Sequence, residues 1–165
     1  MRSSSPIYVL VVEDEFLSRL HAVNLVEDAG YEAIEASSAK ETIAILEARK
    51  DIRIVFTDVD MPGTMHGLKL AHAIRTRWPL IELIVTSGHF HLSDADMPER
   101  GQFLPKPYRD EEIISALHHF VSYVLFLRIN WPKSLQVTTY PGENPDVRYG
   151  RTSASGLGVS GIDVR

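Results

Sequence analysis

Between residues 7 and 127 the chain alternates short, continuous apolar runs with longer segments whose apolar residues recur at helical spacing. No other feature narrows the possible folds as much. Apolar runs without polar alternation mark strands buried on both faces, which occur where helices cover both sides of a parallel sheet. Strict alternation of such strands with helices predicts that architecture. The runs are Ile7–Val12, Tyr31–Ala36, Ile52–Thr57, Leu80–Thr86 and the short Gln102–Leu104. Pro105 closes the last of them, and a proline there suits an edge strand.

The intervening segments carry start and stop signals. Phe16, Leu17, Leu20, Val23 and Val26 fit one helix, with Gly30 as its stop. Ser38 with Glu41 three positions on reads as a capping box, opening a helix that carries Ile43, Ile45 and Leu46. Met61-Pro62-Gly63 breaks the chain before a helix with Leu68, Leu70, Ala71 and Ile74, which Trp78-Pro79 ends. Asp94–Arg100 is weakly helical and has Pro98 against it. A last helix starts near Arg109, with Asp110, Glu111 and Glu112 favourable at its positive end. The expectation is five βα units with about five helices.

Composition excludes several functions. Hydrophobic residues make up 44% of the chain and charged residues 24%, enough for a packed core. A net charge of -5 argues against a nucleic-acid-binding surface, which needs clustered cations. The absence of cysteine removes disulfides, thiolate nucleophiles and Cys-ligated metals. No apolar stretch approaches a membrane span or a signal-peptide core, so a cytoplasmic location is expected. Residues 1–127 hold 12 Lys+Arg against 19 Asp+Glu, whereas residues 128–165 hold 5 against 3. That second stretch contains Pro132, Pro141, Pro145 and five glycines and shows no sustained periodicity. It reads as an irregular tail with no output domain, following a folded domain over residues 1–127.

In open parallel sheets the site lies outside the carboxyl ends of the strands. Four of the five strands end in reactive or charged residues: Glu13-Asp14, Asp58, Thr86-Ser87 and, just past the fifth, Lys106 between Pro105 and Pro107. Clustered acids at a rim repel one another and demand a cation. An oxygen-only donor set favours Mg²⁺. The chemistry that wants this group is phosphoryl transfer onto a carboxylate, with Asp58 as nucleophile. Lys106 supplies fixed positive charge for phosphoryl oxygens, and Thr86 a hydroxyl donor.

These pieces resemble the receiver domain of bacterial two-component response regulators. The matching residues are Val11-Val12-Glu13-Asp14-Glu15, Asp58-Val59-Asp60-Met61-Pro62-Gly63, Val85-Thr86-Ser87-Gly88 and Lys106-Pro107-Tyr108, in the family's order and spacing. The resemblance implies a flavodoxin-like doubly wound sheet of order 2-1-3-4-5. It implies Asp58 as phospho-acceptor and Asp14 as a direct Mg²⁺ ligand. Glu13 would act through metal-bound water, and the backbone carbonyl of Asp60 would be a further ligand. Thr86 and Lys106 would bind the phosphoryl group, Phe103 would be the switch aromatic beside Thr86, and the Lys106-Pro107 bond would be cis. The donor it implies is a histidine kinase or histidine phosphotransfer protein. Three departures stand out: Glu13 where aspartate is commoner, Phe103 without a tyrosine hydroxyl, and Pro105 stiffening the approach to the lysine.

Two other readings compete. Phe56-Thr57-Asp58-Val59-Asp60 resembles the nucleophile motif of haloacid-dehalogenase-type phosphatases, although there the acid pair follows the nucleophile. A phosphate-independent interaction module with a vestigial site is the other, and the intact Asp58, Thr86 and Lys106 argue against it. His89, His91 and the pair His118-His119 read as solvated or rim histidines rather than metal ligands.

The last helix carries one buried stripe: Ile113, Ile114, Leu117, Phe120, Val121, Val124 and Leu125. Tyr123, Phe126, Leu127 and Ile129 fall outside it. A helix apolar all round near its end is usually covered. A homodimer through this end is expected, with a folded-back tail as the alternative cover.

Overall fold

The computed structural model describes residues 6–61, 67–88 and 96–130, with side chains as far as Phe126. Its elements are β1 (Tyr8–Val12), α1 (Phe16–Asp28), β2 (Glu32–Ala36), α2 (Ala39–Ala48), β3 (Ile52–Asp58), α3 (Gly67–Arg77), β4 (Glu82–Ser87), β5 (Gly101–Pro105) and α4 (Asp110–Asn130). All strand pairs are parallel, in the order β2-β1-β3-β4-β5. The expected doubly wound, flavodoxin-like sheet is therefore present.

Strand alternation divides the core into two layers. Val9, Val11, Ile54, Phe56 and Ile84 face α1 and α4, meeting Val26, Leu117 and Phe120. Leu10, Val12, Val55, Leu83 and Val85 face α2 and α3, meeting Leu46, Leu70 and Ile74. The three central strands are buried almost throughout, as their unbroken apolar runs require.

Helix ends follow local chemistry. Glu15 caps α1, its carboxylate accepting from the amides of Leu17 (3.1 Å) and Ser18 (2.5 Å). Gly30, at φ 87°, closes α1 in a Schellman arrangement: its amide donates to the Glu27 carbonyl and that of Tyr31 to the Val26 carbonyl. Ser38 caps α2 by accepting from the Glu41 amide. The reciprocal bond of the expected capping box is shifted, since Glu41 accepts from the amide of Ser37 at 2.7 Å instead of from that of Ser38.

Four helices stand among the described residues, which fits the expected doubly wound architecture. Other expectations are corrected, and the weak pattern over Asp94–Arg100 is no helix where it can be seen. Residues 96–100 form a turn closed by the Gly101 amide on the Pro98 carbonyl, with Arg100 at φ 60°; residues 94 and 95 lie outside the described ones. Phe16, Leu17 and Leu20 lie on α1 with Val23 and Val26, as their spacing predicts, but are 61%, 68% and 45% exposed. The buried face is Ala22, Val23, Leu25 and Val26, and its continuation toward the helix start passes through Arg19. Leu125, assigned to the buried stripe of the last helix, is 41% exposed, because the helix outruns the sheet it packs on. That helix continues to Asn130, three residues past the domain boundary expected at 127. The expected tail from residue 131 onward lies outside the described residues, as do the side chains of Leu127 and Ile129. Among the described residues no helix is long and apolar enough to cross a membrane.

Candidate functional site

The carboxyl ends of β1, β3, β4 and β5 meet at one edge, and the ladder continues one residue beyond the strands. The Glu13 amide donates to the Ala36 carbonyl at 3.1 Å, the Val59 amide to Thr86 at 2.9 Å, and the Lys106 amide to Ser87 at 2.8 Å. Backbone bonds of this kind fix the origin of each site side chain. Asp58, the last residue of β3, lies level with Thr86 on β4.

The sequence-predicted residues converge. Carboxylate oxygens of Glu13, Asp14 and Asp58 all lie within 4.8 Å of one another. The Lys106 ammonium sits between two of them, 2.9 Å from Asp58 Oδ2 and 3.0 Å from Glu13 Oε2. Glu13 and Asp58 are 6% exposed, so the ammonium and the acids share a poorly solvated pocket. Burial raises the Glu13 carboxyl above its ordinary range, a shift that the bond from Lys106 partly opposes. For Lys106, burial pulls the ammonium down, but its bonds to Asp58 and Glu13 outweigh that and raise it overall. The lysine is therefore charged throughout the physiological range. The Lys106-Pro107 bond is cis, as expected.

Asp60 also belongs to this edge, but its carboxylate faces β4. It accepts from the Ser87 hydroxyl at 3.0 Å and from the Gly88 amide at 2.6 Å, while its own amide donates to Asp58 Oδ1 at 3.0 Å. The side chain thus ties the β3 and β4 ends together. Thr86 is buried and lines a small cavity with Asp58, Phe56, Ala22 and Tyr108. Tyr108 packs edge-on against Phe56, and burial raises its hydroxyl pKa. Phe103 is half-buried and pairs with Val85, so it packs on the α2–α3 side of the sheet. Pro62, Gly63, His89 and His91 lie outside the described residues.

Reading the sequence missed three contributors: Ser87 as a partner for Asp60, Tyr108 as a cavity wall, and Arg19. The signal for Arg19 was its register. It stands three, four and seven positions before Ala22, Val23 and Val26, so a charged residue occupies the sheet-facing stripe of α1.

The donor set fits Mg²⁺. Three oxygen ligands converge with no nitrogen or sulfur among them, and in this structure a cation, the Lys106 ammonium, already bridges two of them.

A five-stranded sheet of this order, with acids and a lysine meeting at its carboxyl edge, defines the receiver class of signalling domain. A family model described as the response regulator receiver domain matches residues 9–118, and the chain belongs to that family. Among curated relatives, the hydrogenase transcriptional regulatory protein HoxA of Cupriavidus necator is 33% identical over 117 residues, covering 68% of this chain and 24% of that protein. The DNA-binding transcriptional regulator NtrC of Salmonella typhimurium is 28% identical over 163 residues, covering 92% of this chain and 34% of that protein. The chain thus spans about a quarter to a third of the length of these relatives. A crystal structure of a response regulator receiver domain protein from Clostridium thermocellum superposes with a TM-score of 0.68 at 26% identity, over 73% of this chain and 98% of that one. Nothing in these likenesses favours the haloacid-dehalogenase alternative.

Proposed function

We propose that Asp58 is the phospho-acceptor of this receiver domain, and that a histidine kinase or histidine phosphotransfer protein is its donor. The observation that carries the assignment is the Lys106 ammonium held 2.9 Å from the Asp58 carboxylate, within a group of three acids at the sheet edge. In the transfer, an Asp58 carboxylate oxygen bonds to phosphorus as the P–N bond to the donor imidazole breaks, leaving an acyl phosphate. Glu13, Asp14 and Asp58 would hold Mg²⁺, with the Asp60 carbonyl as a further ligand. When bound, the ion supplies positive charge against which phosphoryl oxygens collect. Lys106 would then turn its ammonium from the free carboxylates to the phosphoryl oxygens, and the Thr86 hydroxyl would donate to another. Movement of Thr86 would carry the signal, with Phe103 as the aromatic partner of that switch.

Two surfaces support the partner assignments. Phe16, Leu17 and Leu20 form an exposed apolar patch on the first turns of α1, beside Glu13 and Asp14. A donor protein that delivers phosphorus to Asp58 would cover that patch. Tyr123, Leu125 and Phe126 expose a second one at the end of α4, 41%, 41% and 59% accessible, which suits a homodimer. We place the domain in the cytoplasm and read it as a phosphorelay switch whose own catalysis is limited to gaining and losing its phosphoryl group.

The test is incubation with Mg²⁺ and a small phosphodonor, read by intact mass. Wild type should gain one phosphoryl group, labile to hydroxylamine, and Asp58→Asn none. A stable acyl phosphate in Asp58→Asn would refute the assignment. No incorporation into wild type would favour the vestigial module, and rapid turnover of phosphate esters a hydrolase.

A further inference from the structure

We infer that Arg19 is a positioning residue for the metal-binding acids, acting through the backbone of the turn that carries them. The inference rests on the Mg²⁺ site proposed above. Arg19 Nη1 donates to the Glu13 carbonyl at 2.8 Å and lies 3.4 Å from that of Asp14. Its Nε donates to Glu35 Oε2 at 3.2 Å, at the end of β2. One guanidinium therefore joins β2, the β1–α1 turn and the second turn of α1. It is 15% exposed and lies over the Phe16 ring at 5.7 Å.

The turn needs such a clamp. Glu13 and Asp14 precede the cap residue Glu15, so their carbonyls fall outside the repeating bonds of the helix. Their carboxylates are drawn within 4.8 Å of Asp58 and repel it and each other. The ammonium of Lys106 relieves Glu13 and Asp58 from the pocket side. Arg19 acts from the opposite side, fixing the peptide groups from which both acids of the turn project. A guanidinium suits this place because it keeps its charge at every relevant pH and reaches several acceptors in one plane. A lysine at the same position has its three donors on one nitrogen, so it cannot span acceptors as far apart as the planar fork reaches from Nε to Nη1.

The test is Mg²⁺ affinity of the phosphate-free protein, by calorimetry and amide NMR shifts, for wild type, Arg19→Ala, Arg19→Lys and Asp14→Ala. Arg19→Ala should bind Mg²⁺ about 10-fold more weakly, the scale seen when residues that orient metal ligands are removed. Arg19→Lys should recover part of the loss. Phosphorylation of Arg19→Ala by a small donor should be slow at low Mg²⁺ and approach the wild-type rate at saturating Mg²⁺, because every ligand is still present; general structural damage would not recover. Alanine is a good helix former, so α1 should persist. Should Arg19→Ala nevertheless fail to fold, Arg19→Lys carries the test, with an expected affinity between twofold and tenfold below wild type. Mg²⁺ affinity within twofold of wild type in the folded Arg19 variants, while Asp14→Ala loses binding, overturns the role of Arg19. Unchanged affinity in Asp14→Ala as well overturns the metal site itself.

Discussion

Replacing Lys106 with methionine removes the ammonium while keeping most of the stem. In the metal-free protein this leaves the carboxylates of Glu13 and Asp58, both 6% exposed, facing each other without their common partner. Removing one member of a buried ion pair costs about 3–5 kcal/mol, because the remaining charge stays desolvated. The Lys106 side chain is itself 26% exposed, so water can enter where it was, and the lower end applies. Uptake of a proton by Glu13, whose carboxyl burial already raises, limits the loss further. The expected destabilisation is about 3 kcal/mol, or about 10 °C in Tm for a chain of this size. Mg²⁺ reverses much of it, since a ligand at a hundred times its Kd contributes about 2.7 kcal/mol, and the variant offers it acids with no competing ammonium. Thermal melts of both proteins in EDTA and in excess Mg²⁺ read the effect. The gap should be wide in EDTA and narrow with Mg²⁺. A gap below about 2 °C in EDTA, or one that widens with Mg²⁺, would show that Lys106 does not hold the acids together.

Three further outcomes follow from the packing. A Cβ on Gly67 would overlap the carbonyl oxygen of Asp58 and the Cα of Val59; Gly67→Ala should therefore cost about 1–3 kcal/mol in denaturant melts and slow phosphorylation, as α3 is pushed from β3. Glu82 is 1% exposed at the start of β4 and pairs with Arg100; Arg100→Ala should destabilise by about 1–3 kcal/mol in urea melts, with phosphorylation unaffected, because the cluster lies at the end of the sheet remote from Asp58. The Glu41 carboxyl lies below its ordinary range because it accepts from the amide and hydroxyl of Ser37. Its stabilising contribution is complete above the unfolded value of 4.5 and is lost as pH falls through the lower folded value. Glu41→Gln should therefore narrow its stability deficit to wild type as pH drops from about 6 to 3, by a small amount since the group is exposed.

The parts of the molecule that were legible in the sequence are those with a one-dimensional signature. Buried parallel strands need continuous apolar runs, and the strand-end rule then gathered Glu13, Asp58, Thr86 and Lys106, residues that the sequence separates widely. What failed were inferences about how far a helix overlaps its sheet. Periodicity placed Phe16, Leu17 and Leu20 on one helix with Val23 and Val26 but did not tell which of them meet the sheet: the first turns of that helix stand at the rim beside the pocket and turn Arg19, not leucine, inward. The same limit moved Leu125 to the surface, where α4 extends past the strands. Asp94–Arg100 misled differently: its charged residues suit a helix, but Pro98 and the positive φ of Arg100 commit residues 96–100 to a turn. Asp60 was legible as a site residue but not in its direction, because whether a carboxylate two positions after Asp58 faces the pocket or the next strand depends on which donors that strand's end presents.

The pocket also shows why a charge cluster this dense can be kept. Each of the two buried acids is anchored by bonds that do not use the oxygen facing Lys106. Glu13 is held by its amide on Ala36, by Arg19 on its carbonyl and by the Glu15 amide on Oε1, leaving Oε2 to the cation. Asp58 ends a central strand and gives Oδ1 to the Asp60 amide, leaving Oδ2 to Lys106. On each side chain one oxygen fixes orientation and the other is available for exchange. Lys106, just past the last strand, is then the member whose partners can change without disturbing the sheet, since its backbone is tied to Ser87 and only its long side chain crosses the pocket. Under the proposed phosphorylation of Asp58, an ammonium that neutralises free carboxylates in one state would neutralise phosphoryl oxygens in the other, so the same fold would accommodate both and the energy of phosphorylation would go into moving Thr86 and its surroundings and not into unfolding the site.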